Sequence, residues 1–209
     1  MKHESLAELG SAAAGIAHDI NNQLTLILNY LSVSDVDGAR RAAARCTELT
    51  SGLLSWCRGE TLRLQPVDVC EFLVDFADSL HLPDGVALRI EIPEAHPRIR
   101  ADRLALTRML TNLVSNACDA MHGEGSIVIR AAGHSIEVAD SGPGVEAAVA
   151  RRIFEPFFST KGSAGTGLGL AIVRETMRQH GGNVFLRNEP RDGSKKAGAI
   201  FVLRFRGLH

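Results

Sequence analysis

No run of apolar residues in this sequence approaches the roughly 20 that a membrane-spanning helix needs. The chain opens on Met1, Lys2, His3 and Glu4 with no apolar stretch behind them, so a secretory signal is not expected. Charge of one sign is also lacking: 23 Lys and Arg stand against 24 Asp and Glu, for a net charge of -1. The basic residues are scattered, which gives no footprint for a nucleic acid or an anionic membrane. Cysteine is sparse. Cys46, Cys57, Cys70 and Cys118 form no CxxC pair and match no zinc spacing. Each lies in an apolar helical context and reads as a reduced core thiol, which fits a reducing cytosol. Internal repeats and low-complexity segments are absent. The expectation is a cytoplasmic chain with no direct membrane contact of its own, compatible with a piece of a larger, membrane-tethered protein.

What is present suffices for a packed core: 45% apolar and 22% charged residues over 209 positions, one ordinary domain and a small second unit. Residues 4–31 carry a heptad-like stripe through Leu6, Leu9, Ala13, Ile16, Ile20, Leu24, Ile27 and Leu31. Residues 32–38 break it, and Ser34 or Asp35 can cap a new helix. A second stripe follows through Val36, Ala39, Ala43, Cys46, Thr50, Leu53 and Cys57. Two such helices on a short loop predict an antiparallel hairpin. Its apolar faces find cover either in a homodimeric four-helix bundle or against the following domain.

Around Gly59 to Pro66 the stripe ends and a linker is expected. Beyond it the spacing predicts helices over 68–80, 101–121 and 168–180. Strands are expected over 86–92, 126–132, 134–140, 183–188 and 199–206, with a tight turn at Gly133. The class is α+β: a helical hairpin over 1–62, then a sandwich of helices on a sheet over 66–209.

Four blocks in the second part carry chemistry. Asn112 and Asn116 are one turn apart and share a helix face. Their neutral carbonyl oxygens can ligate Mg²⁺ while phosphates complete its shell, or the pair can be an ordinary exposed polar face. Asp140-Ser-Gly142-Pro-Gly144 closes a predicted strand. The carboxylate can accept from an exocyclic amine such as adenine's, and Gly142 and Gly144 let backbone approach a flat base; the same residues also make an ordinary turn. Ile153-Phe154-Glu-Pro-Phe157-Phe158-Ser-Thr160-Lys161 reads as packing aromatics followed by a cation for phosphate. Gly165-Thr166-Gly167-Leu168-Gly169 then opens directly onto a helix, offering backbone N–H groups and a positive dipole end to an anion.

Taken in order, Asn112–Met121, Asp140–Val145, Phe154–Lys161 and Gly165–Val173 resemble the ATP-binding domain shared by histidine kinases, gyrases, one class of heat-shock chaperones and mismatch-repair ATPases. The wording is most similar to histidine kinases and spans residues 66–206. That resemblance implies a Bergerat-type fold binding ATP and Mg²⁺. Asn116, helped by Asn112, would hold the metal. Asp140, Gly142 and Gly144 would line the base. Thr160, Lys161 and the backbone of Gly165, Thr166, Gly167, Leu168 and Gly169 would hold the phosphates. The segment between Lys161 and Gly165 is short, so a small lid is expected.

The helical stripe leaves His18 opposite Ile16 and Ile20, on the exposed side, with Asp19 adjacent and Asn22 one turn on. An exposed imidazole can attack a γ-phosphate, and a neighbouring carboxylate can take its proton or orient the ring. Ala14-Gly-Ile-Ala-His18-Asp19-Ile-Asn-Asn22 resembles the phosphoacceptor box of histidine kinases. His18 is then the phosphoacceptor and Asp19 assists transfer to it. Asn22 supports phosphatase activity toward the partner, a response-regulator receiver domain whose aspartate takes the phosphoryl group. Gln23 stands where many members have Pro, which implies a straighter helix. The other histidines, His3, His81, His96, His122, His134, His180 and His209, read as surface residues. Three rival classes fit the sequence less well. A gyrase-like hydrolase would carry a Glu four residues before Asn116, where this chain has Asn112. The others are a phosphotransfer scaffold with a degenerate nucleotide domain and a plain dimerisation module.

Overall fold

The computed structural model describes residues 20–40, 42–43, 46–47, 50, 62–93, 97–161, 166–190 and 197–207. The chain divides into two compact units, Met1–Glu60 and Thr61–His209.

In the first unit, helix α1 is described over 20–32, and α2 from 36 through the described positions to 50. The turn between them uses Ser34 in the left-handed region at φ 59. Asp35, rather than Ser34, caps α2: its Oδ1 accepts from the Gly38 N–H at 2.8 Å. A Cβ on Gly38 would fall 2.5 Å from both the Tyr30 ring and the Asp35 carboxylate, so glycine lets α2 start close against α1. Cys46 Sγ lies 3.9 Å from the Ile20 carbonyl, so α2 returns alongside α1. Leu24, Leu28 and Leu31 of α1 are exposed, as are Val33 and Val36 beside the turn. The part of the expected 4–31 helix before residue 20, with His18 and Asp19, lies outside the described residues, as does Cys57.

The second unit is α+β, as expected. Strands β2 (Val86–Glu91), β4 (Gly125–Ala132), β5 (Ser135–Asp140), β6 (Asn183–Pro190) and β7 (Ala197–Arg204) form a sheet in the order β2-β4-β5-β7-β6. Among the described strands of this sheet only the β2–β4 pairing is parallel. Helices α3 (Val69–Ser79), α4 (Arg103–Ala120) and α6 (Gly169–Gln179) supply the other layer, and α5 (Ala147–Ala150) is a single turn. Period-two alternation sets the inward face: Ile127 and Ile129 of β4, Ile136 and Val138 of β5, Phe201 and Leu203 of β7. They meet Leu73 of α3, Leu106, Leu110 and Leu113 of α4, and Val173 and Met177 of α6. Each such fully buried side chain contributes roughly 1.5–3 kcal/mol.

Two strands depart from the sequence expectation. β1 (Gln65–Asp68) and β3 (Arg98–Ala101) pair antiparallel where a linker and a helix start were expected. Pro66 is tolerated because a two-stranded ribbon consists of edges. The helix starts later than expected because Asp102 caps α4, its Oδ1 accepting from the Ala105 N–H at 3.0 Å.

His180 is a second correction. Expected at the surface, it is buried at the end of α6, while His81, His122 and His134 are exposed as expected. Its Nδ1 lies 2.8 Å from the Thr176 carbonyl, and its Nε2 accepts from the Asp102 N–H at 3.1 Å. Those two bonds fit one neutral tautomer, Nδ1–H. Burial holds the imidazole below its ordinary value, against the opposing pull of the Thr176 bond and the Asp102 charge. A Phe205 ring edge-on to the imidazole completes the enclosure. Helical periodicity alone does not disclose such a histidine, because one of its partners, the Asp102 N–H, comes from the start of another helix.

Candidate nucleotide site

Helix α4 is the floor on which the sequence blocks meet. Its apolar stripe Leu106, Met109, Leu110, Leu113, Val114 and Ala117 is buried. Asn112 and Asn116 therefore flank that stripe and are half-buried. Facing them is the N-terminus of α6. A Cβ placed on Gly169 would lie 3.9 Å from both Asn112 Oδ1 and Asn116 Nδ2. The first turn of α6 thus sits directly over the two amides. Leu168 opens that helix with no side-chain cap, which leaves its first backbone N–H groups available to a ligand anion. Leu168 itself is buried and pins the helix start to the core, and its N–H lies 3.4 Å from Thr166 Oγ1.

Gly167 approaches the Phe-rich segment as closely as backbone allows. It takes φ 65, and a Cβ there would fall 2.4 Å from the Phe157 carbonyl carbon. The Phe157 N–H donates to the Gly167 carbonyl at 3.0 Å, with Phe157 itself at φ 65. A bulky residue in that region is strained by about 1–3 kcal/mol and persists only where its surroundings hold it. Phe154 and Phe158 supply the hold by packing on the core, and the Arg152 guanidinium lies 4.3 Å over the Phe158 ring. The aromatics therefore anchor the loop, in keeping with the packing role expected of them.

Lys161, at the end of that segment, reaches back to α4. Its Nζ is 2.6 Å from Asp119 Oδ2 and 3.4 Å from Asn116 Oδ1. Thr160 and Lys161 are exposed, and residues 162–165, with Gly165, lie outside the described residues.

Asp140 ends β5, half-buried, where its Oδ1 accepts from the Gly142 N–H at 2.8 Å and the Ala199 N–H at 3.3 Å. Gly142 is buried against α4; a Cβ there would meet Asp140 Oδ1 at 2.8 Å, Met121 Cγ at 3.4 Å and Ala120 Cβ at 3.7 Å. Gly144 takes φ 76, a turn geometry that favours glycine. The turn is therefore held over the C-terminal end of α4, and the glycine loop over its middle.

Several residues that support the site escaped the sequence reading. Asn188 of β6 clamps Val145 from both sides: its Oδ1 accepts from the Val145 N–H at 3.1 Å and its Nδ2 donates to the Val145 carbonyl at 2.5 Å. Gly198 lets β7 pass the Asp140 backbone, because a Cβ would come within 2.1 Å of the Asp140 carbonyl oxygen. A glycine inside a strand pattern signals such an approach. Ser141 Oγ accepts from the Ser126 N–H at 2.9 Å, tying the turn to β4. Asp119 was detectable in principle, one turn from Asn116 on the same face. Asn22 is exposed on α1, in the first unit.

Comparison with known proteins places these features. Residues 101–207 match the family described as histidine kinase-, DNA gyrase B-, and HSP90-like ATPases. The chain is 35% identical over 216 residues to the sensor histidine kinase ZraS of Klebsiella oxytoca, an alignment covering 92% of this chain and 46% of that protein. It thus spans about half the length of that relative. Among solved structures, the catalytic domain of histidine kinase ThkA is similar over 69% of this chain and 95% of its own, at 29% identity and TM-score 0.55. The fold of histidine kinase ThkA in complex with response regulator protein TrrA matches 98% of this chain and 64% of that one, at 23% identity and TM-score 0.69.

Proposed function

The chain belongs to the histidine kinase-, DNA gyrase B- and HSP90-like ATPase family as a sensor histidine kinase catalytic core, and from that premise we propose that it phosphorylates its own His18 from ATP and passes the phosphoryl group to an aspartate of a response-regulator receiver domain. The observation that carries this reading is the seating of Gly169, at the open N-terminus of α6, over Asn112 and Asn116. Three sequence blocks converge there on groups suited to a polyphosphate: backbone N–H donors, amide oxygens and the Lys161 ammonium.

In this reading Asp140 accepts the adenine amino group, and Gly142 and Gly144 let backbone lie against the base. The α6 N-terminus, with Gly165, Thr166, Gly167, Leu168 and Gly169, orients the phosphates, and Thr160 and Lys161 border them. Asn116 fits a hard, oxygen-preferring cation, since its carboxamide oxygen already faces an ammonium at 3.4 Å. Asn116, with Asn112, would hold Mg²⁺, which when bound neutralises charge on the phosphates. The protein's contribution to phosphoryl transfer is then positioning and electrostatics. His18 supplies the nucleophilic nitrogen, and Asp19 takes its proton or orients the ring. Asn22, exposed on α1, stands ready to support dephosphorylation of the regulator.

The domains follow the same division: residues 1–62 as the dimerising phosphotransfer hairpin, 66–209 as the nucleotide-binding part. Leu28 and Leu31, 68% and 53% exposed, together with Leu24, support a homodimer sealed through α1. The complex of ThkA with its response regulator supports the choice of partner. Among the described residues no helix is long and apolar enough to cross a membrane. A cytoplasmic setting supplies both ATP and regulator.

The test is incubation of the purified chain with γ-labelled Mg-ATP. Acid-labile phosphate is expected on the native chain and none on His18→Gln, while His18→Gln still binds nucleotide. Hydrolysis without labelling would place the chain with the hydrolases instead.

A further inference from the structure

Lys161 joins two groups one helical turn apart on α4, Asp119 at 2.6 Å and Asn116 at 3.4 Å. An ammonium only donates, so its position dictates which end of the Asn116 amide faces it. That end is the oxygen, and the nitrogen lies toward Gly169. Asn116 therefore presents its oxygen to a monovalent cation supplied by the chain itself.

A divalent cation held by that oxygen would repel the ammonium beside it, because two positive charges would be brought close together. With a divalent cation on Asn116, Lys161 would give up that oxygen, and a phosphate is the partner the site would offer it. Asp119 then loses the ammonium that balances it. Its carboxylate is left beside the polyphosphate, where it repels bare phosphate charge and favours phosphate that carries a divalent cation. Lys161 and Asp119 are 35% and 56% exposed, so the exchange needs no rearrangement of the core.

We propose that Asp119 is a positioning residue that makes nucleotide binding depend on the metal: it parks Lys161 on Asn116, and once Lys161 has moved to phosphate it disfavours nucleotide arriving without Mg²⁺. The proposal rests on the nucleotide-site reading above and deepens it. An exposed ion pair of this kind adds little to folding, so a purely structural role would leave metal preference untouched.

Calorimetric titration with a non-hydrolysable ATP analogue, once with EDTA and once with Mg²⁺, gives the ratio of the dissociation constant without metal to that with it. In Asp119→Asn and in Asp119→Ala that ratio is expected to fall about tenfold, chiefly because binding without metal tightens. Lys161→Met leaves Asp119 without its counter-charge, and the ratio is expected to rise. An unchanged ratio in both Asp119 variants, with native affinity for the Mg²⁺ complex intact, overturns the proposal alone. Failure of the native chain to bind the analogue even with Mg²⁺ overturns the nucleotide site and this inference together.

Discussion

Gly198 shows how strictly single residues set this site. A methyl group there would sit 2.1 Å from the Asp140 carbonyl oxygen, where neither strand backbone can yield cheaply. Gly198→Ala is expected to destabilise the fold by about 1–3 kcal/mol, the range for overpacking, and to weaken nucleotide binding by shifting Asp140. Urea unfolding and analogue titration measure the two effects; unchanged stability would mean β7 has more room than the backbone indicates. His180 makes a separate prediction through its protonation. Neutral in the folded chain, it uses Nε2 to accept from the Asp102 N–H. Burial depresses its affinity for a proton, whereas in the unfolded chain the ring regains its ordinary value of about 6.5. The unfolded state therefore binds more protons as pH falls, and stability drops from about pH 6.5 downward until the folded ring also titrates. Above that range both states are neutral and the contribution is fully present. His180→Gln is expected to flatten the slope in this window, at a cost of about 1–2 kcal/mol near pH 7 from the imperfectly replaced hydrogen bonds. A native-like slope in the variant would assign the acid sensitivity elsewhere.

At the scale of elements, α4 organises the second unit. Asp102 caps it and also accepts from the Arg63 N–H at 2.9 Å, so one carboxylate joins the entering chain to the helix that carries Asn112 and Asn116. Burial alone would raise the Asp102 carboxyl. N–H donation from Ala105, Arg63 and Leu104 outweighs burial and holds it below its ordinary value. Asp102→Ala is expected to cost about 0.5–2 kcal/mol for the lost cap, read from the urea midpoint. Asn188→Ala should act differently, with a modest loss of stability of about 1 kcal/mol. Its larger effect is expected on base binding, because Val145 loses both hydrogen bonds that close the Asp140 turn. The sequence disclosed the helices and the central strands because their periodicity is local. It disclosed Asn112, Asn116, Asp140 and the glycine loop because each block is contiguous. β1 and β3 were missed because each is only four residues long, and Pro66 argued for a linker. The Asn188–Val145 clamp, the His180–Asp102 bond and the Lys161–Asp119 pair were illegible for a different reason: each spans 42 residues or more, and no local pattern encodes such a distance.

For the whole molecule, the division of the core decides what can be separated. Every member of the main buried cluster, from Val67 to Phe205, lies in the second unit. The described residues of the first unit contribute none of them, and Leu24, Leu28 and Leu31 of α1 are exposed. A fragment of residues 61–209 is therefore expected to fold and to bind the ATP analogue about as tightly as the whole chain. It lacks His18 and, on the proposed mechanism, is expected not to label itself. Supplied in solution to a full-length chain carrying Asn116→Ala, the fragment is expected still to label His18 of that chain, but only slowly. The covalent link between the units provides an effective concentration on the order of millimolar, and micromolar fragment forgoes that advantage by about a thousandfold. Labelling by the intact native chain beside labelling by the mixture measures the ratio directly. If the mixture labelled as fast as the intact chain, tethering would be irrelevant and the two units would have to recognise each other through a tight interface of their own. A fragment that bound no analogue would show instead that the nucleotide site needs the first unit to form.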